Sequence, residues 1–171
     1  MSNNKETAQR ILQTCLQIWH KAGAVIILSL LTIFIYNALF LNRAHIELDC
    51  TSDHTATIEV YWTEPGKDFS KDKMSRVQIQ PNETRTGLFL HDIREISRIR
   101  FDPTNQVDGM IIFRKITISQ PGMRPIVLET PEDFAQFEEG TDIAAVSFVP
   151  ELGWIVHSAG KNPYLYLTLP P

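Results

Sequence analysis

The feature that most constrains this chain is an apolar run over residues 22–41, AGAVIILSLLTIFIYNALFL. It holds no charged side chain, and only Ser29, Thr32, Tyr36 and Asn37 interrupt it. About twenty helical residues at roughly 1.5 Å each cross a hydrocarbon core of about 30 Å. Water is absent there, so the backbone must satisfy its own hydrogen bonds, and a helix does so. The alternative is a buried core helix. A chain of 171 residues has few ways to surround so long an apolar rod. The run is therefore read as one transmembrane helix.

The flanks set the expected topology. Over residues 1–43 the basic Lys5, Arg10, Lys21 and Arg43 face the single acid Glu6, so this part carries +3. The whole chain is −4, which leaves −7 for the remainder. Three of the four cations precede the run, and Glu47, Asp49 and Asp53 follow it. The positive-inside rule then puts the N-terminus in the cytoplasm and the rest on the periplasmic or extracellular side of the inner membrane. The apolar core exceeds the 7–15 residues of a cleavable signal, and no small-x-small site follows before Leu41. An uncleaved, single-pass signal anchor is expected. An acidic outer domain without a basic stripe excludes a general nucleic-acid binder.

Before the span, residues 7–21 place Ile11, Leu12, Cys15, Leu16 and Trp19 on one helical face. Residues 1–21 thus read as a cytoplasmic amphipathic segment. Ile11, Leu12, Leu16 and Trp19 are its candidates for membrane or partner-helix contact, with Trp19 and Lys21 at the headgroup level. Cys15 and Cys50 fall on opposite sides of the membrane in this topology, so the outer fold rests on a packed core and not on a disulfide. Cys50 reads as a buried small apolar residue.

Residues 44–171 alternate with period two in many short stretches. Ile46, Leu48 and Cys50 oppose His45, Glu47 and Asp49, and Ala56, Ile58, Val60 and Trp62 oppose Thr57, Glu59 and Tyr61. Further strands are expected over 75–80, 86–91, 96–101, 110–118, 142–149, 154–158 and 164–169, joined by turns rich in Gly, Pro, Asn and Asp. Residues 125–141 are less regular. Pro131 to Phe134 can open a short helix capped by Thr130 and Asp133, with Phe134 and Phe137 inward. The pattern favours a mostly-β sandwich of jelly-roll type.

Catalytic motifs are missing. The histidines have no metal-ligand spacing, and there is no CxxC, GxSxG, P-loop or dinucleotide fingerprint. Asp102, Asn105 and Asp108 share a loop of oxygen donors, but the stretch does not match the calcium-loop pattern, and turn capping is the simpler role. No metal, no cofactor and no enzymatic activity are expected. One sequon, at Asn82, becomes relevant only in a glycosylating lumen.

Binding is the remaining option. Tyr61, Trp62, Trp154, Tyr164 and Tyr166 supply aromatic faces on which pyranose rings can stack, unless they are ordinary packing residues. Alternation sets Trp62 inward and Tyr61 outward, and puts Tyr164 and Tyr166 on the polar side of the last strand. Arg98 and Arg100 project together from one strand face to meet acids or a glycan. The candidate glycan-binding set is Tyr61, Trp154, Tyr164, Tyr166, Arg98 and Arg100.

The most distinctive stretch is Arg98-Ile99-Arg100-Phe101-Asp102-Pro103, then Gly109 and an Ile-rich strand with Ile111, Ile116 and Ile118. Gly160-Lys161-Asn162-Pro163-Tyr164 follows near the end. Together these resemble a β-sandwich domain attached to bacterial membrane glycosyltransferases and other surface-polysaccharide assembly proteins. Asn162 stands where that pattern usually has Asp. The resemblance covers roughly residues 44–170 and implies a jelly-roll, carbohydrate-binding-module-like fold outside the membrane, without catalytic residues. That family typically carries many spans, and this chain has one. The implied role is a non-catalytic accessory subunit in polysaccharide or lipid-linked sugar processing, beside an integral membrane glycosyltransferase. A stand-alone glycan-binding module and a structural subunit of another membrane complex are the alternatives. Within the motif, Pro103 biases Asp102 to an extended backbone, Asp102 is expected to accept N–H bonds from the following loop, and Gly109 to let the chain turn back.

Overall fold

The computed structural model describes residues 3–81 and 83–170, and the backbone alone for residues 3–18 and 38. Asn82 of the sequon lies outside the described residues, as do the side chains of Ile11, Leu12, Cys15 and Leu16. The chain divides into two units, Met1–Phe40 and Leu41–Pro171.

The first unit is helical. α1 (Asn3–Tyr36) runs on without a break into a π-helical turn at Asn37–Leu41. Its apolar part spans Trp19–Leu41, has a mean hydropathy of 2.5, and none of it is buried. Thr32 donates its hydroxyl to the Leu28 carbonyl at 2.8 Å, which satisfies a polar group inside the apolar stretch. Trp19 is exposed, and so is Phe34 further along. The helix is long and apolar enough to cross a membrane, a property an N-terminal signal segment shares.

Among its described residues the second unit has eleven strands: β1 (His45–Ser52), β2 (Ala56–Thr63), β3 (Met74–Ile79), β4 (Arg85–Phe89), β5 (Arg98–Asp102), β6 (Met110–Ser119), β7 (Ile126–Leu128), β8 (Phe137–Glu139), β9 (Ile143–Val149), β10 (Gly153–Ser158) and β11 (Leu165–Thr168). They form two sheets. One has the order β4-β1-β6-β10-β9, with β7 also paired to β6; the other is β3-β2-β5-β11-β8. Every ladder is antiparallel. β6 is the longest strand. β1 covers one of its edges with a bulge at Asp49/Cys50, while β10 and β7 share the other.

Alternation explains the two layers. Ile46, Leu48 and Cys50 of β1 and Ile111, Phe113, Ile116 and Ile118 of β6 point inward from one sheet. Ile58 and Val60 of β2, Ile99 and Phe101 of β5, and Leu165 and Leu167 of β11 answer from the other. All sit in one continuous core, against which Trp62 packs as a half-buried inward residue. Truncating one of these buried Ile or Leu side chains to Ala costs about 2–5 kcal/mol. Gly153 has φ +111°, and a Cβ there would run into the Phe113 carbonyl, so the entry to β10 requires glycine.

The irregular segment conceals structure. β7 and β8 both lie within residues 125–141, where no strand was expected. Three-residue strands are too short for alternation to show, and Pro125 stands directly before β7. The helical turn α2 (Pro131–Phe134) forms between them with a full capping box: Thr130 Oγ1 accepts from Asp133 N, and Asp133 Oδ2 accepts from Thr130 N at 2.9 Å. β1 also continues past the alternating residues 45–50 through Thr51 and Ser52.

Candidate binding face on the five-stranded sheet

The sequence alternation that buries Ile58, Val60, Ile99, Phe101, Leu165 and Leu167 turns their neighbours outward on the β3-β2-β5-β11-β8 sheet. Register then aligns them. Tyr61 on β2 pairs with Arg100 on β5, which pairs with Tyr166 on β11, which pairs with Glu138 on β8. One row therefore crosses four strands. Glu59 and Asp102 form the next row, and Thr63, Arg98 and Thr168 lie on the other side of the first.

Guanidinium groups and rings interleave on this face. The Arg98 guanidinium lies 4.0 Å from the centre of the Tyr166 ring. That of Arg100 lies 4.3 Å from Tyr164 and 5.1 Å from Tyr61. Tyr164 and Tyr166 are 5.0 Å apart, and Phe69, from the β2–β3 loop, stacks on Tyr166 at 5.5 Å. Such contacts hold arginine and tyrosine side chains in place and leave rings partly open to a ligand.

Ion pairs and hydrogen bonds fix the rest. Arg100 donates to both oxygens of Asp102 at 2.7 and 2.6 Å. Arg98 Nη2 donates to Glu138 at 2.6 Å, while its Nε is buried with no acceptor among the described residues. The Tyr61 hydroxyl donates to Glu59 at 2.7 Å. Burial and that bond push the Tyr61 phenol up to about 12, so it stays a neutral donor. Burial likewise raises Asp102 above the usual carboxylate range, against the opposing pull of Arg100. Arg76, opposite Glu59 on β3, brings the face to three cations and three acids. A balanced charge suits a neutral polyhydroxyl surface better than a polyanion.

The sequence-derived candidates separate here. Tyr61, Tyr164, Tyr166, Arg98 and Arg100 come together. Trp154 does not: it is 5% exposed and stacks in the core on Phe137 at 4.8 Å and Phe134 at 4.9 Å. It belongs to the inward row of β10, which supplies core and not a sugar platform. Glu59, Phe69 and Glu138 join the face without having been singled out. Glu59 was legible, two residues before Tyr61 on the same strand face. Phe69 sits in a loop and Glu138 in the irregular segment, where no pattern pointed to them.

The motif residues also take definite places. Asp102 does not accept loop N–H groups as expected; its carboxylate is occupied by Arg100, and Thr104 Oγ1 instead accepts from Gln106 N at 3.1 Å. Pro103 and Pro163 are buried. Gly109 does not serve a reversed backbone conformation. A Cβ there would stand 2.6 Å from the His54 ring, and its N–H donates to Ser158 Oγ at 2.9 Å. A Cβ at Gly160 would strike the Asp142 carboxylate, which accepts from Asn162 N at 3.1 Å. Gly140 is packed flat against the Tyr164 ring, where any side chain would collide. Among the described residues no group of three or more His, Cys, Asp or Glu is placed to hold a metal ion.

Fold and site together define a chain with one N-terminal helix of membrane-spanning length and a mostly-β, two-sheet domain bearing an aromatic and arginine-rich sheet face. No protein-family model, curated protein or solved structure matches it.

Proposed function

We propose that this protein is a membrane-tethered, non-catalytic glycan-binding module. The helix is its signal anchor, its N-terminus lies in the cytoplasm, and the β domain faces the periplasm or cell exterior as a jelly-roll-like sandwich. The observation that carries this reading is the row Tyr61–Arg100–Tyr166, joined by Tyr164 and Arg98 on one face. Aromatic rings held by guanidinium groups give flat stacking surfaces for a sugar ring. The non-catalytic assignment draws support from the two buried-side carboxylates: Asp102 is held by Arg100 and Glu59 by Tyr61, so neither stands free as a general acid or base.

The resemblance to domains of polysaccharide-assembly proteins favours a setting beside an integral membrane glycosyltransferase, acting on a surface polysaccharide or lipid-linked sugar. The test is titration of the full-length protein in detergent against neutral envelope polysaccharides. Binding is expected, and Arg100→Ala and Tyr166→Ala should each weaken it about tenfold or more. Absence of binding, with a stable complex recovered from native membranes, would favour the structural-subunit reading of the same face.

A further inference from the structure

The domain has a second concave feature, at the end of the sandwich where the chain enters it. β1 begins there, because His45 pairs with Ser119 at the close of β6. Residues of both sheets and of their connections line a cavity of about 700 Å³ there, within the range of small-molecule pockets. Ile96, Ile118, Ile126 and Leu169 supply its apolar wall, and Met123 and Arg124 stand at its edge.

Three observations bear on what enters it. Gln120, in the wall and 5% exposed, donates to the Leu41 carbonyl at 2.9 Å. Leu41 is the last residue of the apolar segment. Whatever angle the helix takes, the cavity lies one hydrogen bond from the point where the chain leaves that segment. Met123, at the cavity edge, is 40% exposed, so an apolar side chain already faces outward at the entry. Finally, of the two arginines beside the cavity, Arg94 is held by Asp92 and Asn42, but Arg124 is exposed and makes no ion pair among the described residues.

We infer that this cavity takes one hydrocarbon chain of an anionic lipid from the bilayer surface, with Arg124 on its headgroup. Apolar wall, apolar rim and one uncompensated cation match an amphiphile with a negative head. Gln120, Arg94 and Ser97 in this wall are already bonded to other protein groups, which leaves a neutral sugar few free partners. The inference rests on the helix being a membrane span; it does not need the sheet face to bind glycan.

The experiment reconstitutes the full-length protein in nanodiscs of equal phosphatidylglycerol and phosphatidylcholine and counts the lipid retained on the released chain by native mass spectrometry. The wild type should keep one lipid, with phosphatidylglycerol favoured about tenfold. Met123→Trp, at an exposed position on the cavity edge, blocks it from outside and should abolish retention. Arg124→Glu should keep the fold and lose the preference. Tyr166→Ala, on the sheet face, should behave as wild type, which separates this site from the glycan site. No retained lipid, or failure to enter nanodiscs, overturns the inference. So does undiminished retention in a folded Met123→Trp, which would place the lipid elsewhere. If Met123→Trp does not fold, an unchanged lipid preference in Arg124→Glu overturns it alone.

Discussion

Arg100 and Asp102 project from the same side of β5 and meet in a two-point pair, Nε to Oδ1 at 2.7 Å and Nη2 to Oδ2 at 2.6 Å. Their side chains are 24% and 11% exposed, so the pair is screened far less than a surface bridge. Asp102→Ala leaves the Arg100 guanidinium partly buried without its acid and should cost about 2 kcal/mol. Tyr61→Ala opens no core cavity and should cost less than about 1 kcal/mol. Thermal unfolding of the full-length protein in detergent checks the order. An Asp102→Ala protein that melts with the wild type would remove the pair from any account of stability.

Gly140 sets the position of Tyr164. The glycine N–H donates to the Tyr164 carbonyl at 2.9 Å, and the ring covers the place a Cβ would take. Gly140→Ala must therefore displace the ring from Arg100. The expected outcome is glycan affinity reduced about tenfold, with stability lowered by about 1 kcal/mol. Titration and melting of the same variant separate the two effects. Retained affinity with a displaced ring would exclude Tyr164 from the binding surface.

Much of this was legible in the sequence because period-two alternation is a direct consequence of strand geometry. It placed Ile46, Leu48, Ile58, Val60, Leu165 and Leu167 inside, and Tyr61 and Tyr166 outside. Facing does not reveal depth, however, and Trp154 shows the limit: alternation could not say that its row was the inner one, since Ile155 and His157 opposite it are themselves half buried. Partner choice was hidden as well. Asp102 had within reach both the following loop and Arg100, two residues back on the same strand face, and alternation alone does not choose between them. Glu138 reached the face through β8, a strand too short for any periodicity. The cavity beside Gln120 is made by segments distant in sequence, and no local pattern announces such a place.

Asp92 is the group whose protonation bears most clearly on stability. It accepts from the Arg94 guanidinium, from Arg94 N at 3.0 Å and from Gln120 Nε2 at 2.9 Å. The Arg94 bonds first, then Gln120, hold its carboxyl at about 2, below the ordinary value of 3.8. A carboxylate depressed in the folded state adds stability that is complete above the unfolded value and is lost as the pH falls from about 4 through 2. Arg94 is largely exposed, so the contribution is discounted to about 1 kcal/mol. Asp92→Asn should lower the melting temperature by about 3–6 °C at neutral pH, with the gap to wild type closing below about pH 3. A gap of constant size across that range would show that charge at Asp92 is not what stabilises the turn.

Cys50 gives access to the membrane topology. It is 1% exposed, and burial, then the neighbouring Asp49 and Glu83 charges, push its thiol up to about 12. Thiolate is the reactive form, so Cys50 should resist maleimide in the native protein and react only in denaturant. That silence makes added cysteines readable. In a Cys15→Ser background, Ser70→Cys places a reporter on an exposed loop of the β domain, and Asn4→Cys places one at the start of α1. With three of the four flanking cations before the span, a membrane-impermeant maleimide should reach Ser70→Cys from outside intact spheroplasts and Asn4→Cys only in inverted vesicles. The reverse pattern would invert the orientation. Labelling of both positions from one side would show that residues Trp19–Leu41 do not cross the bilayer.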